Sequence, residues 1–184
     1  MKELETRIID IDLDKFRRDL KMINAEKVKE ENQINNIYDF PDRRLLSKKG
    51  YARIRIVEDL LNKKSFSFIT TKKMLSQERF KVMEENETII EDGEVGKKIL
   101  EALGLELIDS IKKYRESYKY KNTLIEIDIN EKNFCPFPYV EFETSSEEEL
   151  KEILELLGYS LEDTTSKTIY EILKDKGISS EKGL

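Results

Sequence analysis

The stretch TLIEIDINEKNFCPFPYVEFET, residues 123–144, contains two runs in which apolar and other side chains alternate. Successive side chains of a β-strand point to opposite faces, so each run predicts a strand with one apolar and one acidic face. The acidic residues of the two runs are Glu126, Asp128, Glu141 and Glu143. The Cys135–Pro138 segment between the runs predicts a loop.

The same alternation occurs along most of the chain and predicts about eight strands. Their approximate ranges are 2–9, 34–40, 51–58, 65–72, 79–91, 105–120, 122–130 and 138–144. Like charges recur two positions apart on the ionic faces, as in Arg53 and Arg55. Nearly every predicted strand therefore has an apolar face and an ionic face.

Four segments carry the helical spacing of apolar residues, at 13–24, 94–103, 146–157 and 166–176. In the second of them, Val95, Ile99 and Leu103 align on one apolar face. The segments ILEALGLEL (99–107) and ILELLGYSL (153–161) are similar, which hints at two related halves, each a strand, a helix and further strands.

Eight strands with four helices favour an α+β fold in which the antiparallel sheet closes into a barrel, because an open sheet would leave exposed edges. Amphipathic helices need the apolar face of the sheet, so that face must lie outside and the ionic face must line the interior. The alternative is an open antiparallel sheet whose ionic face is in water.

Composition excludes several classes of function. The 184 residues include 39 acidic, 33 basic and no histidine side chains, which excludes Ser-His-Asp and Cys-His catalysis and histidine-ligated zinc. The net charge of −6 argues against nucleic acid as a partner. The single Cys135 and the lack of a long apolar run predict a cytoplasmic protein without a membrane partner. We expect one domain over 1–176 and a frayed tail over 177–184.

Inside a closed barrel, the like-charge pairs predict bound ions that compensate them. Carboxylate pairs suit hard divalent cations, which take oxygen ligands. Arginine and lysine pairs suit a polyanion, because guanidinium groups match phosphate oxygens. An interior with both kinds of pair predicts a metal-bound polyphosphate.

The start of the chain, Glu3-Leu-Glu5-Thr-Arg7, resembles the ExExK signature that opens CYTH proteins, also called triphosphate tunnel metalloenzymes. The resemblance continues in order through most of the chain. Its further motifs are Ile37–Phe40, Ala52–Arg55, Thr71-Lys72, Glu85-x-Glu87, Lys113-x-Arg115, Asp128, Glu141-x-Glu143 and Lys167–Tyr170.

The resemblance implies an eight-stranded antiparallel tunnel of two similar β-α-β-β-β halves that acts on triphosphates with Mg²⁺ or Mn²⁺. The metal ligands it implies are Glu3, Glu5, Asp128, Glu141 and Glu143, with Glu85 and Glu87 as other tunnel carboxylates. The triphosphate-binding residues are Arg53, Arg55, Lys72, Lys81, Lys113 and Arg115, and the residues with catalytic roles are Arg7 and Lys72.

Two positions depart from the family pattern. Arg7 stands where the signature usually has lysine, and its guanidinium does not deprotonate at working pH. Met83 stands where an arginine is frequent, and Lys81 shares its face and can substitute for it.

The leading hypothesis is a metal-dependent triphosphatase acting on tripolyphosphate, ATP or thiamine triphosphate. The alternatives are a class IV adenylyl cyclase, which forms cyclic AMP and pyrophosphate from ATP, and a non-catalytic binder of polyphosphate or nucleotides. A homodimer is an open alternative to a monomer.

Overall fold

The computed structural model describes the backbone of residues 2–178 and the side chains of residues 4–178. Within this range the chain forms eight strands and four α-helices. The strands are β1 (Lys2–Ile9), β2 (Glu26–Asp39), β3 (Gly50–Asp59), β4 (Lys64–Gln77), β5 (Lys81–Ile90), β6 (Glu106–Tyr120), β7 (Thr123–Asn130) and β8 (Tyr139–Thr144). The helices are α1 (Leu13–Met22), α2 (Gly93–Ala102), α3 (Glu147–Leu156) and α4 (Ile169–Asp175).

The eight strands close into one antiparallel barrel, in the order β1, β5, β4, β3, β2, β6, β7, β8 and back to β1. The predicted closed α+β barrel is therefore confirmed. Each half of the chain supplies a strand, a helix and a three-stranded meander. The first strand of each half pairs with the last strand of the other, β1 with β8 and β5 with β4.

Strand β2 is 14 residues long and begins eight residues before the predicted range 34–40. Its first half, EKVKEENQ, lacks a clean alternation of apolar and polar residues, so the pattern did not indicate a strand. Pairing with β6 holds this segment in extended form, from Glu26 opposite Lys119 onwards.

Helices α1 and α3 cover the outer face of the strands that close the barrel. Phe16 and Leu20 of α1 and Leu150 of α3 belong to one buried cluster with Ile125 and Phe142 of the sheet. Asp12 caps α1 by accepting from Lys15 N at 3.0 Å, as the sequence predicts. The apolar faces of these strands therefore point outward to the helices, and their charged faces point inward.

Helix α2 packs through a different face from the predicted one. Val95, Ile99 and Leu103 are 49%, 50% and 66% exposed, whereas Gly96 and Leu100 are buried. A Cβ atom at position 96 would clash with the Ile90 side chain, so glycine allows the helix to approach the sheet closely. The prediction failed because a glycine does not contribute to an apolar pattern.

Single alanine substitutions on the two faces of α2 test this packing. We expect Leu100→Ala to lower the free energy of unfolding by about 2–5 kcal/mol, because it leaves a cavity against the sheet. We expect Ile99→Ala to change it by no more than about 0.5 kcal/mol. Urea unfolding of both variants measures the two values. A larger loss in Ile99→Ala than in Leu100→Ala would show that the helix packs through the face predicted from the sequence.

The segment before α4 returns to the barrel and pairs with β1. Arg7 and Thr165 exchange backbone hydrogen bonds of 3.0 and 2.8 Å. Helix α4 ends where Gly177, with φ of 67°, turns the chain and Ile178 N donates to Leu173 O. The first two residues of the predicted tail thus close α4, and residues 179–184 lie outside the described range.

None of the helices within residues 2–178 combines the length and the apolar character needed to cross a membrane.

Candidate active site

Seven basic side chains from five strands point into the barrel and line one cavity of about 400 Å³. Their side chains are only 4% to 15% exposed. They are Arg7, Arg53, Arg55, Lys72, Lys81, Lys113 and Arg115, which include every basic residue that the sequence analysis assigned to the site. Alternation along each strand puts them inside, because the residues next to them in the sequence lie on the outer face. Some of these neighbours pack under a helix, as Ile54 does, and others are exposed, as Lys112 is.

Acidic side chains from β1, β5, β7 and β8 share this interior. The assigned ones with described side chains are Glu5, Glu85, Glu87, Asp128, Glu141 and Glu143. The side chain of Glu3 lies outside the described part of the structure. Glu126 also points inward and pairs with Arg115, although the sequence analysis gave it no role. Its position two residues before Asp128 is the signal that could have identified it.

Arg115 is the centre of the largest ion-pair cluster. Its Nε and Nη2 donate to the two carboxylate oxygens of Asp128, each at 2.6 Å, and its Nη2 also donates to Glu141 at 3.0 Å. Its Nη1 donates to Glu126. Burial alone would lower the pKa of Arg115, but Asp128 and Glu126 hold it well above its usual value. This arginine therefore stays charged and binds three carboxylates.

A second cluster joins β1 to its neighbours. The Arg7 guanidinium donates to Glu141 and to the backbone oxygen of Lys167, which ties β1 both to β8 and to the segment before α4. Glu5 pairs with Lys72 at 2.7 Å and with Lys81 at 2.5 Å.

A third cluster lies between β3 and β5. Arg55 Nη2 donates to both oxygens of Glu87, at 2.6 and 2.8 Å. Arg53 Nη2 donates to Glu85 at 3.1 Å and to Glu87 at 3.2 Å. Thr70 Oγ1 donates to Glu87 at 2.6 Å.

These clusters correct the expectation that like-charge pairs in the interior need bound ions. Strand register places opposite charges side by side, with Arg7 opposite Glu141 and Lys72 opposite Glu85. The interior thus compensates most of its own charge. A sequence gives the face on which a residue lies, but only the register between strands gives its partner.

Some hydrogen-bonding capacity in the cavity remains unused. The Nε atoms of Arg7, Arg53 and Arg55 are buried and have no hydrogen-bond partner within the described chain. A buried N–H group without an acceptor costs about 1–3 kcal/mol. These donors suit an anion that supplies several oxygens.

Glu143 differs from the other interior carboxylates. It lines the cavity and makes no hydrogen bond or ion pair with any described residue. Burial, followed by repulsion from the Glu126 carboxylate, raises the pKa of Glu143 to about 8. By contrast, burial would raise the pKa of Glu141, but Arg7 and the other cations hold it well below its usual value.

Both residues assigned catalytic roles remain cations. Burial lowers the pKa of Lys72, but Tyr51 and Glu5 more than offset this and raise it above its usual value. Burial lowers the pKa of Arg7 as well, and Glu141 raises it above the usual value. The geometry therefore suits charge stabilisation by Arg7 and Lys72 and does not suit proton abstraction by either.

The donor set was compared with the needs of a divalent metal. Among the described residues, no three Asp, Glu, Cys or His side chains are grouped so that they could hold a metal ion. The interior carboxylates nevertheless supply only oxygen donors, the type that Mg²⁺ takes. Glu143 makes no ion pair with any described residue, so its oxygens are available. The residues fit a hard divalent cation by donor chemistry, with Glu143 as the free ligand.

A protein-family model matches most of the sequence, in agreement with the order of the motifs and the ionic interior of the barrel. A CYTH domain model matches residues 1–169. The chain belongs to the CYTH family. In this CYTH domain most of the charged residues of the family motifs whose side chains are described line the one cavity. Glu87 and Asp128 are not part of the lining and pair with the cations Arg55 and Arg115 beside it.

Solved structures with a similar fold include two archaeal proteins. A conserved hypothetical protein of Pyrococcus furiosus is 27% identical with a TM-score of 0.71, over 92% of this chain and 98% of that chain. A Pyrococcus horikoshii protein is 25% identical with a TM-score of 0.73, over 92% and 98% of the two chains.

A Hippeastrum protein described as a putative adenylyl cyclase with a dominant triphosphatase activity is 19% identical with a TM-score of 0.63, over 96% and 88% of the chains. At that identity the likeness concerns the fold alone. No curated protein sequence matches this CYTH domain.

Proposed function

We propose that this CYTH domain is a metal-dependent triphosphatase that hydrolyses a triphosphate inside the barrel. The observation that carries the proposal is the concentration of seven largely buried cations around one cavity. Three of them have a guanidinium N–H without a hydrogen-bond partner among the described residues. Phosphoryl transfer requires mainly positioning and neutralisation of charge on the phosphate oxygens, and a fixed set of buried cations provides both.

The roles follow from charge and position. The phosphate chain is bound by Arg53, Arg55, Lys72, Lys81, Lys113 and Arg115. Arg7 and Lys72, both held cationic, stabilise the charge that develops on the reacting phosphate. Glu3, Glu5, Asp128, Glu141 and Glu143 are the candidate metal ligands. Bound Mg²⁺ or Mn²⁺ would neutralise phosphate charge and favour attack by water.

The internal ion pairs add a constraint on binding. A triphosphate that takes the cations must draw them away from their carboxylate partners, for example Lys72 from Glu5 at 2.7 Å. The released carboxylates then need cations of their own, which a divalent metal supplies. Triphosphate and metal should therefore replace the internal ion pairs together rather than separately.

The decisive experiment is a panel assay of phosphate release from tripolyphosphate, ATP and thiamine triphosphate, each with Mg²⁺, Mn²⁺ and no metal. We expect phosphate release that requires metal from at least one substrate. Chelation of the metal by EDTA should abolish the activity, and added metal should restore it.

The products of this assay, together with a binding measurement, separate the alternatives. Cyclic AMP and pyrophosphate as the products from ATP would identify a class IV adenylyl cyclase. Tight triphosphate binding by calorimetry with no turnover under any metal would identify a non-catalytic binder. The cytoplasmic location and the homodimer remain predictions from the sequence.

A further inference from the structure

Glu126 is a buried interior carboxylate that the proposed function does not use. It lies on β7, opposite Ser117 of β6 and Glu141 of β8, and its side chain is only 3% exposed. One of its oxygens accepts from Arg115 Nη1, and the other accepts from Ser117 Oγ at 2.9 Å. Both oxygens of this carboxylate are therefore held in place by β6.

Neighbouring carboxylates engage all three nitrogens of the Arg115 guanidinium, which carries five N–H donors. Nε and Nη2 donate to Asp128 and Glu141, as described above. Nη1 is the remaining nitrogen, and it donates to Glu126. Arg115 lines the cavity, whereas Glu126 is not part of the lining. The nitrogen that a phosphate oxygen could use is thus engaged by a carboxylate beside the cavity.

The fold does not require this third carboxylate at Arg115. Asp128 alone balances the charge of the guanidinium and receives two hydrogen bonds of 2.6 Å. Each further buried carboxylate must be taken out of water, which costs free energy that attraction to a shared cation returns only in part. Burial, followed by repulsion from Glu126, also raises the pKa of Glu143. A charge that is unfavourable for the fold is typical of a functional site.

Glu126 offers Arg115 the same kind of acceptor that a triphosphate would offer, because carboxylate and phosphate oxygens both match a guanidinium. A metal-free triphosphate that bound Arg115 Nη1 would leave Glu126 as a buried carboxylate without a cation, beside the negative charge of the phosphate. A divalent cation that enters with the triphosphate offsets both charges. The penalty therefore falls mainly on the metal-free form.

We propose that Glu126 competes with phosphate for Arg115 and thereby makes the barrel favour a metal-bound triphosphate over a free one. Glu126 is then a specificity-determining residue, which acts by penalising the wrong form of the ligand. The inference rests on the proposed function, because it places the triphosphate in the cavity that Arg115 lines.

The experiment measures the Kd of tripolyphosphate by calorimetry, in EDTA and in saturating Mg²⁺, and compares the ratio of the two values among four proteins. These are the wild type, Glu126→Gln, Ser117→Ala and the control Glu116→Gln. Glutamine at position 126 keeps the shape and can accept from Arg115 but carries no charge. Ser117→Ala keeps the charge and removes a hydrogen bond that holds it. Melting temperatures confirm that each variant folds.

Glu116→Gln is the matched control, because Glu116 and Glu126 are each 2% exposed. Glu116 lies on the outer face of β6, where it pairs with Arg17 and Lys27. The control substitution therefore removes one equally buried negative charge without touching Arg115.

We expect Glu126→Gln to bind metal-free tripolyphosphate about tenfold or more tightly than the wild type does, the size of one hydrogen bond to a charged group. The gain in Mg²⁺ should be smaller, because the cation already offsets the charge of Glu126. Ser117→Ala should shift the ratio in the same direction by a smaller factor, and Glu116→Gln should leave it unchanged. A purely structural role for Glu126 predicts the opposite sign, with weaker binding in both conditions.

Metal-free binding that is unchanged or weaker in Glu126→Gln, with normal hydrolysis by the wild type, would overturn this inference and leave the proposed function standing. Tighter metal-free binding in this variant, with no phosphate release by the wild type under any metal, would support the competition and overturn the hydrolase. Failure of the wild type to bind or hydrolyse any triphosphate would overturn both. If Glu126→Gln does not fold, the direction of the shift in Ser117→Ala decides the outcome.

Discussion

Replacing Arg115 with methionine is expected to lower the free energy of unfolding by about 3–5 kcal/mol at neutral pH, the usual cost of breaking a buried ion pair. Methionine keeps most of the side-chain volume, so the loss reflects charge rather than a cavity. Three carboxylates lose a partner, including the fully buried Asp128, which receives two hydrogen bonds from Arg115 at 2.6 Å.

The pH dependence of this variant distinguishes the ion pairs from packing. Burial tends to raise the pKa of Asp128, but Arg115 and Lys113 hold it below its usual value. A lowered folded-state pKa contributes stability above the unfolded pKa, which is lost as the pH falls through the folded one. The difference between wild type and Arg115→Met should therefore shrink below about pH 4.

Arg44→Met is the matched control, because Arg44 pairs with Asp42 at the surface, where both side chains are more than half exposed. We expect a change of no more than about 1 kcal/mol. Urea unfolding across pH measures both variants. Equal losses in the two would mean that the interior ion pairs contribute no more than surface ones.

Replacing Glu143 with glutamine is expected to reduce metal-dependent triphosphatase activity by about 100-fold or more. Replacing a residue that only orients a metal ligand typically costs ~10–100-fold, and loss of a ligand itself should cost at least the upper value. The same variant should not destabilise the protein without metal. Glu143 has no ion pair to lose, and the substitution removes its repulsion by Glu126.

The stability of this variant should also depend on pH in a defined direction. Burial and Glu126 raise the pKa of Glu143 to about 8 from an ordinary value of 4.5. The folded wild type therefore keeps a proton that the unfolded chain releases, and it loses stability as the pH rises from about 4.5 to about 8. Above this window, Glu143→Gln should be the more stable protein by an amount on the order of a few kcal/mol.

Glu141→Gln provides the contrast. Glu141 binds both Arg7 and Arg115, so its replacement should reduce activity and also destabilise the fold. Melting curves at pH 6 and pH 9, with phosphate release measured in parallel, test the pair. Destabilisation of Glu143→Gln equal to that of Glu141→Gln would show that Glu143 has a partner after all.

Local patterns predicted which side of the sheet each charged residue occupies. Arg53 and Arg55 alternate with apolar neighbours, and alternation depends only on the geometry of a single strand. The charge partners could not be predicted, because they depend on register between distant strands. Glu5 lies opposite Lys81, and nothing within either strand specifies that alignment.

Two further features that the sequence did not predict also depend on contacts between different elements of the fold. The packed face of α2 depends on how closely the helix approaches Ile90, which the small side chain of Gly96 allows. The lining of the cavity combines Tyr170 of α4 with Ile111 of β6, and these segments lie far apart in the sequence.

Closure of the barrel by β1 and β8 has a consequence for how the chain reaches this structure. The ion pair between Arg7 and Glu141 joins residues 134 positions apart. Contacts of such long sequence separation slow folding, because the entropy of ordering the intervening chain must be overcome before they form. During synthesis β1 is made before both its neighbours, β5 and β8. The barrel therefore cannot close until β8 has been synthesised, and until then β1 is open to wrong pairings.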